Sequence, residues 1–366
     1  MEISIGELAR RVGGIVHGDA TVLIESAQSI AKAGPRDITF GVNELNLRLL
    51  AKAQPGAIFV GPQCLDHALQ NYPERNWIVV PDPLGAFIDV LQLTRPQRGR
   101  SEIGISPLAV IAASAVIGPD CNIYPGVYIG EDVVIGAGCD IHPGVVISAD
   151  CRLGQHCTVY PNAVLYPQIV VGNRVIIHAS AVVGADGFGY RFQQGRYHKI
   201  PQLGSVELQD DVEIGACTTI DRAMIGVTTI GEGTKLDNLV MIGHNCELGK
   251  HNAFASGVGL AGSVTTGDYV VCAGQVGIAD HVHIGDKTVI GAKSGVHKDM
   301  EGGKTYLGAP ATEELEQFRI LMALRKLPEL RKQLRDLESQ VAELTRRLAS
   351  QADRNQSDLD DINQAA

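Results

Sequence analysis

The sequence contains no CxxC pair, no apolar run near the length of a membrane span, no Walker loop and no dinucleotide-binding fingerprint. It is also short of bases. Lys and Arg number 31 against 41 Asp and Glu, a net charge of −10. Each lack removes a class of function. The eight cysteines read as neither disulfides nor metal ligands. The N-terminal stretch MEISIGELARR lacks the apolar core of a secretory signal, so a reduced, cytoplasmic protein is expected. The acidic balance argues against nucleic acid as a partner.

What is present is a beat of six. Apolar residues recur at Ile105, Ile111, Ile117, Ile123, Ile129, Ile135, Ile141, Ile147, Leu153, Val159, Leu165, Val171, Ile177 and Val183. Leu208, Ile214 and Ile220 follow an interruption. A last block runs from Ile230 through Leu236, Ile242, Leu248, Phe254, Leu260, Thr266, Cys272, Ile278, Ile284 and Ile290 to Val296. Six is neither the period of a helix nor that of an ordinary strand. It is the signature of a hexapeptide β-helix, one short strand and one turn per repeat. Gly often follows the aliphatic, as at Gly118, Gly130 and Gly136, which suits a sharp corner needing permissive backbone. The fourth residue after it is small or β-branched, as at Ala115, Cys121 and Val127, giving a second inward side chain.

Three sides of six would close a coil of eighteen residues, with coils about 4.8 Å apart, the spacing of paired strands. The beat resembles that of hexapeptide-repeat proteins, and the resemblance implies triangular closure and a left hand. Eighteen then serves as a ruler within each unbroken block. Cys121, Cys139 and Cys157 form one inward column and read as small core hydrophobes. The expected fold is mainly β: a left-handed parallel β-helix over residues 101–310. An α/β domain over 1–100 precedes it, with helical patterns at Ile5–Val12 and Asn46–Ala53 and apolar strands at Ala57–Val60 and Trp77–Val80. A C-terminal helical segment is expected over 311–350, and a disordered tail over 351–366. Leu327, Leu330, Leu334, Leu337, Val341, Leu344 and Leu348 make a heptad seam, of a coiled coil or of a docked helix. Pro328 fits best in its first turn. Arg319, Arg325, Lys326, Arg331, Lys332, Arg335, Arg346 and Arg347 lie along the same helix, as a solvated face or as a strip for an acidic partner.

The ruler also sorts the candidate chemistry. His244 falls on a corner; its column continues with Gly262 and Asp280, and the adjacent column holds Asn245, Ser263 and His281. A base beside a backbone N–H is the minimum for acyl transfer. A turn histidine bonded to backbone is the plainer reading, and the clustering weighs against it. Gly259, Gly277 and Gly295 form an outward column, which leaves either a groove for an apolar chain or a close subunit contact. The interruption GADGFGYRFQQGRYHKIPQLG (184–204) reads as a long loop leaving the coil, offering Asp186, Phe188, Tyr190, His198 and Lys199. A metal reading competes: His281 and His283 form an HxH, and His142 and His178 share a column two coils apart, without a third ligand in register.

GADGFGY at 184–190, KIPQLG at 199–204, VEIGACTTIDR at 212–222, the LDN and IGHN motifs within 236–245, and DITF at 37–40 occur in that order. In these motifs the chain, over roughly residues 1–325, resembles the UDP-3-O-acylglucosamine N-acyltransferases of lipid A biosynthesis. The resemblance implies transfer of a 3-hydroxyacyl chain from acyl carrier protein to the 2-amino group of UDP-3-O-acylglucosamine, in a cytoplasmic homotrimer with sites between subunits and no cofactor. It implies His244 as general base, Gly262 as oxyanion donor, and His281 as a second active-site histidine. Asp237 and Asn245 match polar residues near the base, and Phe40 and Asn43 a uracil site. It also implies that the C-terminal helices help to dock the carrier protein. The family usually has a Tyr six residues after the stacking Phe; here that position is Asn46. The alternatives are the related UDP-GlcNAc O-acyltransferase, which lacks the N-terminal domain, and a trimeric zinc β-helix lyase.

Overall fold

A computed structural model describes residues 2–96, 99–308 and 314–364, with side chains in the last segment described for 319–349. The chain forms two compact units, Met1–Ser101 and Glu102–Ala366.

In the first unit a five-stranded sheet has the order Ile15–His17, Trp77–Val79, Ala57–Val60, Asp37–Gly41, Ser26–Ala27. Its central strand, Ala57–Val60, is parallel to both neighbours and buried at every residue, which explains its unbroken apolar run. Ser4 caps the helix Ile5–Val12 by accepting from the Glu7 N–H at 3.2 Å, and Gly13 ends it in the left-handed region. The helix Pro83–Thr94 is capped by Asp82, opens with proline, and buries Ala86 and Val90. The sequence reading did not pick out this helix, because its apolar residues are not confined to one stripe. The helical pattern at Asn46–Ala53 resolves into one α-turn, Glu44–Leu47, and a 3-10 segment, Arg48–Lys52.

The second unit carries three parallel sheets of ten, ten and nine strands, each named here by one inward residue as the Ile123, Ile129 and Ile135 faces. Ile123 pairs with Ile141, Ile129 with Ile147 and Ile135 with Leu153, so uninterrupted coils repeat every eighteen residues. The fold is a left-handed parallel β-helix. Beat residues and their second inward partners fill its interior: Val127, Val133, Cys139 and Val145 are fully buried beside Ile129, Ile135 and Ile141. Thr266 stands on the beat because its buried hydroxyl accepts from Asn252 Nδ2 at 2.8 Å.

Two details correct the sequence reading of the corners. At the regular corners the left-handed backbone falls on the third residue after the aliphatic, not on the glycine that follows it: Asp120, Asp132, Asp150, Asn245 and His281 all have φ near +60°. Glycine after the aliphatic is needed for closeness instead. A Cβ on Gly136 would lie 2.6 Å from the Gly154 carbonyl oxygen of the next coil. The stretch 184–204 is also not an irregular loop. Strand Val182–Asp186 runs past the corner, and Tyr190–Gln193 pairs antiparallel with Arg196–Lys199. Gln194 and Gly195 join them, both at positive φ, as a two-residue type I′ turn demands.

One helix spans Glu314–Gln364. Pro328 therefore lies inside it rather than in its first turn, and leaves the Leu324 carbonyl without its usual i+4 donor. The expected disordered tail is helical backbone as far as Gln364: after Pro328 no further Gly or Pro interrupts the sequence. The heptad leucines are exposed on this helix. No helix among the described residues is long and apolar enough to cross a membrane.

None of the eight cysteines is in a disulfide, and Cys217 alone is exposed. Burial pushes the Cys151 thiol up to about 11 and those of Cys246 and Cys272 up to about 12. In the native protein a thiol reagent should therefore modify Cys217 first, as read by mass spectrometry of the digested chain. Native labelling of Cys246 or Cys272 at the rate of Cys217 would contradict this packing.

Candidate active site

His244 follows strand Met241–Ile242 on the Ile129 face and sits where the chain turns toward the next face. Its neighbours fix it on both sides. A Cβ on Gly262, one coil on, would lie 2.6 Å from Cε1 and Nε2 of the imidazole. A Cβ on Gly187, in the stretch before the hairpin, would lie 2.6 Å from the His244 Cβ. The ring is held between two backbones that approach only because neither carries a side chain.

Hydrogen bonding sets the tautomer. Asn245 Nδ2 donates to the Ile225 carbonyl at 2.9 Å, and its Oδ1 accepts from the Met224 N–H at 3.0 Å. The amide is thus oriented with oxygen toward His244, whose Nδ1 lies 3.1 Å from it. Nδ1 carries the proton, and Nε2 keeps its lone pair for a substrate. The Cε1–Nε2 edge of the ring faces Gly262, whose N–H donates to no group among the described residues. A base with a free N–H beside it can remove a proton from a nucleophile and stabilise an oxyanion.

These groups line a cleft of 390 Å³ with Phe188, Asp221, Met241, Gly243, Ala261, Asp280 and His281. His281 is largely exposed, with Nδ1 3.2 Å from Asp280 Oδ2. Lys199 pairs with Asp186 across the base of the hairpin, and this carboxylate pushes the Lys199 ammonium up from its usual value. Phe188 packs edge-on against Tyr190, their centroids 5.1 Å apart. Gly259, Gly277 and Gly295 pair in register on the outside of the same face, and a Cβ on any of them would meet nothing within 4 Å.

Other predicted site residues lie elsewhere. Asp237 is on the corner after the Ile123 face, where its carboxylate accepts from the N–H groups of Asn238 and Ser256. It lines a separate groove with His178, Lys235 and Phe254. Phe40 and Asn43 belong to the first unit. Phe40 packs on Phe87 at 4.8 Å, while Asn43 Oδ1 caps the following helical turn through the Asn46 N–H. His142 and His178 do not converge, since the Tyr160 ring lies between them in a stack with 5.0 Å steps. Among the described residues no three His, Cys, Asp or Glu side chains gather as a metal site would require. Sequence reasoning missed Asp221 and the Met224–Ile225 turn. Both adjoin an insertion that breaks the eighteen-residue step: Ile220 pairs with Ile242, twenty-two residues on. The restart of the beat at Ile230, ten residues after Ile220 instead of six, is the signal that could have found them.

Comparison with known proteins supplies the chemistry's context. Residues 105–149 and 150–185 match the bacterial transferase hexapeptide family, and residues 21–93 match UDP-3-O-(3-hydroxymyristoyl) glucosamine N-acyltransferase. The chain is 48% identical to the UDP-3-O-acylglucosamine N-acyltransferase of Syntrophus aciditrophicus, over 94% of this chain and 93% of that one. It is also 48% identical to the enzyme of that name from Nitratidesulfovibrio vulgaris, over 95% and 98%. Among solved structures, the Arabidopsis UDP-N-acetylglucosamine acyltransferase is similar, with a TM-score of 0.52 and 27% identity over 59% of this chain and 76% of that one.

Asp221 carries a pH signature. Burial pushes its carboxyl up to about 6, against a downward pull from His244, and Asp186 adds to the rise. The folded-state value lies above the unfolded one, so the folded chain holds this proton more tightly. Stability is then lost as pH rises between about 4 and about 6, and stays lower above that window. Asp221→Asn should raise the melting temperature at pH 7.5, with the gain shrinking toward pH 4. A melting temperature shifted equally at both pH values would rule out this origin.

Proposed function

The chain belongs to the UDP-3-O-acylglucosamine N-acyltransferase family, and from that premise we propose that the His244 cleft is where its acyl transfer takes place. The enzyme is an acyltransferase of lipid A biosynthesis that makes UDP-2,3-diacylglucosamine. In this reading the donor is a 3-hydroxyacyl thioester on acyl carrier protein, and the acceptor is the 2-amino group of UDP-3-O-acylglucosamine, in the cytoplasm. The observation that carries the assignment of the base is the fixed tautomer of His244, with the Cε1–Nε2 edge of its ring packed against Gly262.

The amine lone pair attacks the thioester carbonyl while His244 Nε2 takes a proton from the attacking nitrogen. The Gly262 N–H donates to the carbonyl oxygen as it gains charge. The C–N bond forms, the C–S bond breaks, and the imidazolium returns its proton to the leaving thiolate. An amide and a free thiol result, and His244 is restored. The thioester is already activated, so the step needs no cofactor. His281, two coils on from His244, holds the acceptor. Asp186, Lys199, Phe188 and Tyr190 form the wall from which the sugar nucleotide is bound, and Asn245 keeps the base oriented. The Gly259, Gly277 and Gly295 column takes the incoming acyl chain. Phe40 stacks on uracil, braced by Phe87 where the family's second aromatic is replaced by Asn46, and Asn43 Nδ2 is left to bond the uracil edge.

The active assembly is a homotrimer in this reading. Asp237, apart from His244 within one chain, then comes to the cleft of a neighbouring copy. The exposed heptad leucines suit association of the C-terminal helices, and their basic residues suit the acidic carrier protein.

Incubation with acyl carrier protein thioesters and UDP-3-O-acylglucosamine tests the reading. His244→Ala should lower kcat by at least ~10²-fold, the usual scale for general-base catalysis; near-normal turnover would overturn the choice of base. Gly277→Phe or Gly295→Phe should shift the donor preference to shorter chains, measured with a series of thioesters. An unchanged ranking of chain lengths would remove the groove from the argument.

A further inference from the structure

Asp221 is a carboxyl with an unusual set of neighbours. Its strand, Thr219–Arg222, pairs with Val182–Asp186 on the coil before and with Met241–Ile242 on the coil after. Ile220 is in register with Ile242, so Asp221 stands one coil from Gly243, the residue preceding the base. It is only 9% exposed, and what shows lines the His244 cleft. No described residue makes a hydrogen bond or an ion pair to its carboxyl. The next residue shows the contrast: Arg222 is tied to the Gly184 and Pro167 carbonyls.

A buried carboxyl serving the fold caps an N–H or meets a cation. Asp221 does neither, and the ionised group costs stability at neutral pH through desolvation. Charged groups come near it from every side. Asp186 lies on the preceding coil with its charge met by Lys199, and His244 lies on the next coil. Cys246 is in the core beneath, and Asp280 and His281 lie further along the cleft. Among these, no cation is bonded to it.

We propose that Asp221 is the group that recognises the acceptor's nitrogen and distinguishes an amine from a hydroxyl. This rests on the N-acyl transfer reading and adds a specificity residue to it. An amine on a carbon flanked by oxygen-bearing carbons titrates near neutrality, at about 8 as an α-amino group does. It therefore arrives largely as an ammonium, which a carboxylate in a desolvated wall binds and a hydroxyl does not satisfy. The ammonium releases one proton to solvent. The amine then remains hydrogen-bonded to Asp221 with its lone pair free, while a second N–H faces His244 for the proton transfer already described. His244 alone provides no such choice, because an imidazole serves an attacking hydroxyl equally well.

The test compares binding of UDP-3-O-acylglucosamine with that of its 2-hydroxyl analogue, UDP-3-O-acylglucose, to the full chain by calorimetry without donor. The wild type should prefer the amine by about 10- to 100-fold, the scale of a hydrogen bond to a charged group. Asp221→Asn should reduce that preference to a few-fold, raising KM for the amine sugar while leaving KM for the thioester unchanged. If the variant lowers kcat but keeps the preference, Asp221 only orients His244 and the proposal is overturned. A measurement without substitution guards against misfolding: the wild-type preference should fall as pH drops below about 6, where Asp221 takes up its proton. A preference constant from pH 5 to 7.5 would overturn the proposal as well. A wild-type chain that binds the amine sugar with this preference yet transfers no acyl group to it would instead overturn the N-acyl transfer reading. That outcome differs from transfer without discrimination.

Discussion

The hydrogen-bonded stacking of one coil on the next is the constraint on which the second unit depends. Parallel strands lie about 4.8 Å apart only if their backbones run in register, and register holds only if each coil presents its aliphatic residues to the same interior. Leu248, Thr266 and Ile284 show the condition being met through different chemistry: the hydroxyl is admitted because Asn252 satisfies it. Gly136 and its counterparts show the same condition from outside, because a methyl group there would strike the next coil's carbonyl.

The candidate site is built from that stacking rather than added to it. His244 and Gly262 are neighbours because they occupy equivalent corner positions on successive coils, and the short step brings the ring onto the glycine. The other side of the ring is closed by Gly187, which reaches it because strand Val182–Asp186 continues past the corner. The Met224–Ile225 turn orients the Asn245 amide, and the amide orients the base. Each contact is local, yet all depend on the register of four consecutive coils.

Most of the β-helix was legible because its period is strict: inward residues, cysteine columns, the His244–Gly262 step and the glycine column all follow from counting. Within the beat, which ends at Val296, counting by eighteen failed at two places. Val183 pairs with Ile220, thirty-seven residues on, and Ile220 with Ile242, twenty-two on. Asp221 was hidden by the second of these, since eighteen residues before Gly243 is Ile225. The corner glycines were misread for another reason. Composition cannot separate a residue that turns the chain from one that lets another chain pass close by, and here Asp, Asn and His take the left-handed position. Pro328 was misplaced because seven heptad residues outlined only part of a helix that begins at Glu314.

The two breaks in the count also have an architectural meaning. Val183 to Leu208 spans 25 residues instead of six, a surplus of 19, and Ile220 to Ile230 spans ten, a surplus of four. Both surpluses are expelled at the corner after the Ile129 face, on successive coils, directly before the coil of His244. A solenoid with a strict period cannot absorb an odd length of chain into its walls. It accepts whole coils, or it pushes the excess outward at a vertex. Variation in length in such a protein is therefore quantised along the axis and unrestricted at the vertices. Novel surface accumulates at a corner while the barrel behind it stays unchanged. The walls can be lengthened by a whole turn without disturbing the His244 corner, and the corner can be elaborated without disturbing the walls.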